Sequence, residues 1–183
     1  MSDSEKYILN DIPKNGRIDN YLEELSEIIT EQGINLPKLE QFKFKVFNDC
    51  KTYLKEKFNL NFPNMQLAII YKKEEYVELW KKHDKMFGTR PLRKAFCVVS
   101  KDMSWIYIDF LSHFQGSQKD FIAKLSVSFA EELVHSGAYP NKSETDVHEL
   151  VCSAVEGFLE VKLSDAAREA RLRYAREING RLD

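Results

Sequence analysis

The stretch Phe121-Ile-Ala-Lys-Leu-Ser-Val-Ser-Phe-Ala-Glu-Glu-Leu-Val-His-Ser136 decides how this chain is read. Ile122, Leu125, Val127, Phe129, Leu133 and Val134 spread around most of a helical circumference. A helix that is apolar nearly all round belongs in the centre of a fold. Into it are set Glu131, Glu132 and His135. Buried carboxylates are costly unless paired, protonated or metal-bound, so their place here marks a candidate metal-binding cluster. Residues four apart lie on one helical face a turn apart, so Glu131 and His135 can point at a common ion. Glu132 is turned by about 100° from that face.

Working outward, Gly137 to Lys142 form a tight turn through Pro140, and Ser143 is an N-cap for a helix from about Glu144 to Leu163. So short a turn folds this helix back antiparallel to the first, which makes it the natural source of a third ligand. Asp146, Glu149 and Glu156 are the candidates. Glu149 is preferred, because it lies level with His135, and Asp146 comes next. Glu156 would sit about 10 Å further along by helical rise. His148 is on a different side of this helix from Glu149 and is read as a capping or packing residue.

Upstream, Met65–Tyr71 reads as a buried strand, and Lys73 to about Phe87 as a helix. Ala95–Ser100 and Trp105–Phe110 read as two strands joined closely enough for an antiparallel hairpin. Before them, Ile18, Tyr21, Leu22, Leu25, Ile28 and Ile29 mark a helix from Asp19 to about Gln32. Leu39, Phe42, Val46, Phe47, Cys50, Tyr53 and Leu54 mark another from about Lys38 to Phe58. A last charged helix runs from Asp165 to about Asn179, with Ser164 as its N-cap.

Composition sets the outer limits. The 183 residues are 43% hydrophobic and 31% charged, a profile of a soluble domain with a real core. Twenty-seven basic against 29 acidic residues give a net charge of −2, with no electrostatic reason to expect nucleic acid or anionic membrane as partner. Cys50, Cys97 and Cys152 are far apart and odd in number, so reduced thiols are expected rather than a disulfide framework. No apolar run reaches the roughly 20 residues of a membrane helix, and the first residues lack a signal-type segment. The expectation is a soluble, cytoplasmic protein.

Glu131-Glu132-Leu-Val-His135 stands one residue away from the His-Glu-x-x-His signature of zinc peptidases. With Ile106-Tyr-Ile-Asp109 before it and Glu149-Leu-Val-Cys152 after it, the order of elements over about residues 65–163 resembles a minimal zincin of the gluzincin type. The resemblance implies an α+β fold, mainly helical with a small, mostly antiparallel sheet and a zincin-like core. Residues 1–62 would be a helical N-terminal region, 63–163 the core and 164–183 a C-terminal helix, all in one domain. It further implies Glu132 as general base, with Glu131, His135 and Glu149 (or Asp146) holding one divalent metal. The partner would be a peptide or protein, and the reaction, in an active form, peptide hydrolysis. Glu131 departs from the pattern, since it replaces a histidine. Together with Glu149 it adds negative charge, which weakens the metal's pull on water and suits manganese or iron as well as zinc. The resulting expectation is a pseudoenzyme or atypical metal binder. The alternative is a non-catalytic protein-interaction module without metal.

Overall fold

The computed structural model describes residues 7–60, 65–70, 72–83, 95–98, 104–109, 117–137, 144–165 and 167–169. Helix α1 (Arg17–Ile28) buries Ile18, Tyr21, Leu25 and Ile28, the stripe expected from their spacing. It ends at Ile28, short of the expected Gln32. Ile29–Thr30 (β1) instead turns back to pair antiparallel with Gly33–Ile34 (β2). Branched side chains favour extended backbone, and Gly33 adopts a φ of 123° that other residues rarely reach.

Helix α2 (Leu36–Phe58) starts where Asn35 accepts a hydrogen bond from the Lys38 amide at 3.2 Å, with Pro37 in its first turn. It stops at Asn59, which is left-handed with φ 55°. Leu39, Phe42, Val46, Phe47, Cys50 and Leu54 are buried on it as expected, and so is Lys43. The Lys43 ammonium lies 5.9 Å from the centre of the Phe121 ring.

Strands β3 (Met65–Ile70), β4 (Ala95–Val98) and β5 (Ser104–Asp109) form a three-stranded sheet in the order β3-β5-β4. The β4–β5 pair is antiparallel, as the short connection implied, with Phe96 opposite Tyr107. β3 runs parallel to β5, with Met65 opposite Ser104 and Ile70 opposite Asp109. Parallel neighbours need a crossover connection, and helix α3 (Lys73–His83) lies within it. Tyr76 and Trp80 of α3 form a small apolar cluster of their own.

Helices α4 (Gln118–Gly137) and α5 (Glu144–Leu159) pack on each other. α4 also touches α1, α2 and the edge strand β4, so it is the central element the all-apolar pattern predicted. Phe129 meets Phe47 of α2 edge-on with ring centres 5.4 Å apart. α5 ends at Leu159 rather than Leu163, because Glu160 turns left-handed at φ 57°. The next residues lie beside the N-terminal segment: Leu9 N donates to Lys162 O at 3.0 Å and Ser164 N to Tyr7 O at 2.9 Å. Ser164 then caps the following turn, accepting from Ala167 N at 3.0 Å. The rest of the expected C-terminal helix, beyond residue 169, lies outside the described residues, as do the last residues of the expected 73–87 helix and the Ser143 cap. The fold is thus α+β and mainly helical, with two of its three strand pairings antiparallel. Among the described residues no helix is long and apolar enough to cross a membrane.

Candidate metal centre

Both glutamates of the central helix are withdrawn from solvent: Glu131 is 4% exposed and Glu132 is 2% exposed. They share that interior with Ser126 and Ser128 one to two turns earlier on α4. Ser126 disposes of its hydroxyl locally, donating to Ile122 O at 2.8 Å. A carboxylate has only acceptors to offer, so it draws on donors from neighbouring side chains. One candidate comes from the element packed against α4.

That element is α5. His148 is fully buried, and its Nε2 lies 3.6 Å from Glu131 Oε1. The contact is long for a hydrogen bond, whose donor and acceptor sit about 2.7–3.2 Å apart. His148 gets there because it belongs to the apolar stripe of α5: Val151, Cys152 and Val155 follow at three, four and seven residues, all buried. The expectation that His148 lies on a different side from Glu149 therefore holds, and the buried side is that of His148. Glu149 and Asp146 are exposed. Glu156 is half-buried and engaged elsewhere, accepting from Leu163 N at 2.9 Å and pairing with Arg168.

His135 occupies the position one turn beyond Glu131 on α4, and its side chain is outside the described set. Glu131 and His148 are thus brought together, Glu132 lies beside them in sequence and depth, and the two exposed carboxylates of α5 stand apart. Among the described residues no three His, Cys, Asp or Glu side chains gather as a complete metal group. The described donors brought together, the Glu131 carboxylate and the His148 imidazole, are of types that zinc accepts. His83, His113, Cys97 and the 90–94 basic run have no described side chains.

A second feature lies at the C-terminal end of α5. Arg17 Nε donates to Phe158 O at 3.1 Å, and its guanidinium stacks 4.4 Å from the centre of the Phe158 ring. Tyr21 Oη donates to Asp49 Oδ2 at 2.5 Å. Burial, reinforced by that hydrogen bond to Asp49, pushes the Tyr21 hydroxyl well above the usual tyrosine range. These residues, with Lys45, Tyr53 and Glu160, line a mixed-charge cleft of about 810 Å³. The neighbouring Cys50 thiol is pushed up by burial to about 12, so it is an inert core thiol. Cys152 is also buried and reduced.

The chain matches no family model, no curated protein and no solved structure.

Proposed function

We infer that the chain is a divergent zincin-like protein whose central helix carries an altered metal centre, and that it is an atypical metal binder of the metallopeptidase type. The observation that supports this reading is the burial of Glu131 and Glu132 at consecutive positions of the central helix, with the buried His148 imidazole 3.6 Å from Glu131. Buried carboxylates lose hydration, so their retention calls for compensating positive charge. A divalent cation at this position would supply it. Glu131 and His135 would hold the ion, and a divalent ion there would supply Lewis acidity toward water and a peptide carbonyl.

Glu132 has the general-base role in this reading. Its carboxylate takes the proton from the attacking water and passes it to the departing amine nitrogen, as a zincin glutamate does. α4 sets the angle between Glu131 and Glu132 at about 100°, so the base and the ligand need not compete for one spot. The edge strand β4 lies against α4 and, among the described residues, pairs on one side only, which would leave its other edge for an extended peptide.

Metal content of the full chain, purified without chelator, tests this reading by elemental analysis. About one zinc, manganese or iron per chain, lost on His135→Ala, supports it. A chain free of metal, which takes up none when zinc is offered, would leave the second reading: a non-catalytic interaction module. The mixed-charge cleft beside Arg17 and Tyr21 favours that module, since it offers a polar recognition surface away from α4.

A further inference from the structure

The start of α1, the middle of α2 and the end of α5 meet at the mixed-charge cleft of about 810 Å³, a volume typical of sites that enclose small organic ligands. Its floor is fixed by packing. Phe158 is buried, with the rings of Tyr53 and Tyr21 at 5.5 and 6.3 Å from its own. The Arg17 guanidinium lies over the same ring and is tethered through Nε to Phe158 O. Its Nη1 is 3.7 Å from Asp49 Oδ2, too long for a hydrogen bond. A guanidinium held in this way keeps donors for a ligand, and its planar fork matches a carboxylate.

The end of α5 supplies the opposite charge. Val161 N donates to Glu156 O at 3.2 Å, closing the last turn of the helix over Glu160, whose φ is 57°. Helices favour glycine at this place, because a side chain is strained in left-handed backbone. A glutamate stands there instead, and it lines the cleft. Across from it a Cβ on Gly16 would come 3.2 Å from Glu160 Oε2, so the wall is left without a side chain. Asn15, left-handed at φ 58°, lines the cleft as well. Backbone strain of this kind gathers at ligand clamps.

Charge selects the ligand. Lys45 is committed to Glu24 at 2.7 Å, and Asp49 accepts from the Tyr21 hydroxyl beside Arg17. Lys14 and Lys57 then stand against Glu56 and Glu160. So balanced a cleft has no field to draw in a polyanion such as a nucleotide. It matches a ligand that carries both signs.

We propose that this cleft binds a short peptide segment with one acidic and one basic side chain, the acidic one on Arg17 and the basic one on Glu160. Binding there requires no metal on α4.

The test is affinity selection on the immobilised full chain from a randomised tetrapeptide library, acetylated and amidated so that only side chains carry charge. Circular dichroism checks the folding of each variant. The native chain should enrich tetrapeptides that pair an acidic with a basic residue by about tenfold or more, the yield of one charge-assisted hydrogen bond. Arg17→Gln should lose the acidic preference. Glu160→Gly should lose the basic preference and yet unfold at an equal or higher urea concentration, because glycine suits the left-handed turn. That variant keeps the proposal open to test if Arg17→Gln does not fold. No enrichment by the native chain, or enrichment that survives both substitutions, overturns the proposal. Enrichment of acidic residues alone, displaced by inorganic phosphate, would make the cleft an oxyanion pocket and overturns it too. Calorimetric binding of free L-lysine, lost in Glu160→Gly and without any peptide enrichment, would assign the cleft to a free amino acid and overturn the peptide.

Discussion

Glu131 of α4 and His148 of α5 face each other across the interface of the two helices, Oε1 to Nε2, at 3.6 Å and out of contact with solvent. This contact joins the central helix to its successor through polar groups as well as apolar ones. Glu131→Gln keeps the shape and removes the charge. Metal content measured by elemental analysis is expected to fall at least about tenfold, with helix content by circular dichroism unchanged. Unchanged metal content in a folded Glu131→Gln protein would remove Glu131 from the centre.

Gly157 lets α5 approach α2. A Cβ at this position would overlap the Tyr53 hydroxyl, while the ring carbon beneath stays at an ordinary 3.4 Å. Gly157→Ala is therefore expected to destabilise by about 1–3 kcal/mol through overpacking. In a Tyr53→Phe background the clash is gone, and the same change should stabilise by up to about 1 kcal/mol, because alanine is the better helix former. Urea denaturation of the four proteins of this cycle reads the reversal of sign.

Alkaline stability follows from Cys50 and Tyr21. The folded chain holds the Cys50 proton until about 12, against an ordinary value of 9.0, and holds the Tyr21 proton well above its ordinary 10.0. Above pH 9 the unfolded chain gives up the thiol proton and the folded chain does not. Stability from this source is full below pH 9 and is lost as pH rises toward 12. At pH 10.5 the loss from Cys50 is about 2 kcal/mol. Denaturation midpoints at pH 7.5, 9 and 10.5 should decline, and less steeply in Cys50→Ala. In the native fold at pH 8.5, Cys50 should resist alkylation.

The Phe47–Phe129 contact ties α2 to the central helix. Phe129→Ala is expected to cost about 3–5 kcal/mol, as large-to-small changes at fully buried aromatics do. The loss should be partly shared with Phe47→Ala in a double-mutant cycle, with a coupling of about 0.5–1.5 kcal/mol. Thermal or urea unfolding measures both. Additive effects would mean the rings do not support each other.

The central helix was legible in the sequence because its apolar residues run all the way round, a pattern that only burial explains. The β4–β5 hairpin was legible from its short connection. The parallel pairing of β3 with β5 was not, since it depends on a crossover through α3 and on no local signal. The end of α1 was misplaced because Ile29 continues the helical stripe, while the Gly33 turn draws the chain into β1 and β2 instead. At the site, the burial of Glu131 and Glu132 was legible from the apolar residues around them, whereas Glu149 and Asp146, chosen by level along α5 and by carboxylate chemistry, are exposed. The buried face of α5 carries His148, Val151, Cys152 and Val155, a spacing of three, four and seven.

X-ray absorption at the zinc edge of the zinc-loaded full chain tests the central claim most directly. The account predicts a four-coordinate ion with nitrogen and oxygen neighbours at about 2.0–2.2 Å, no sulfur, and an imidazole outer-shell pattern that weakens in His135→Ala. A spectrum without imidazole scattering, or one unchanged by His135→Ala, would contradict it.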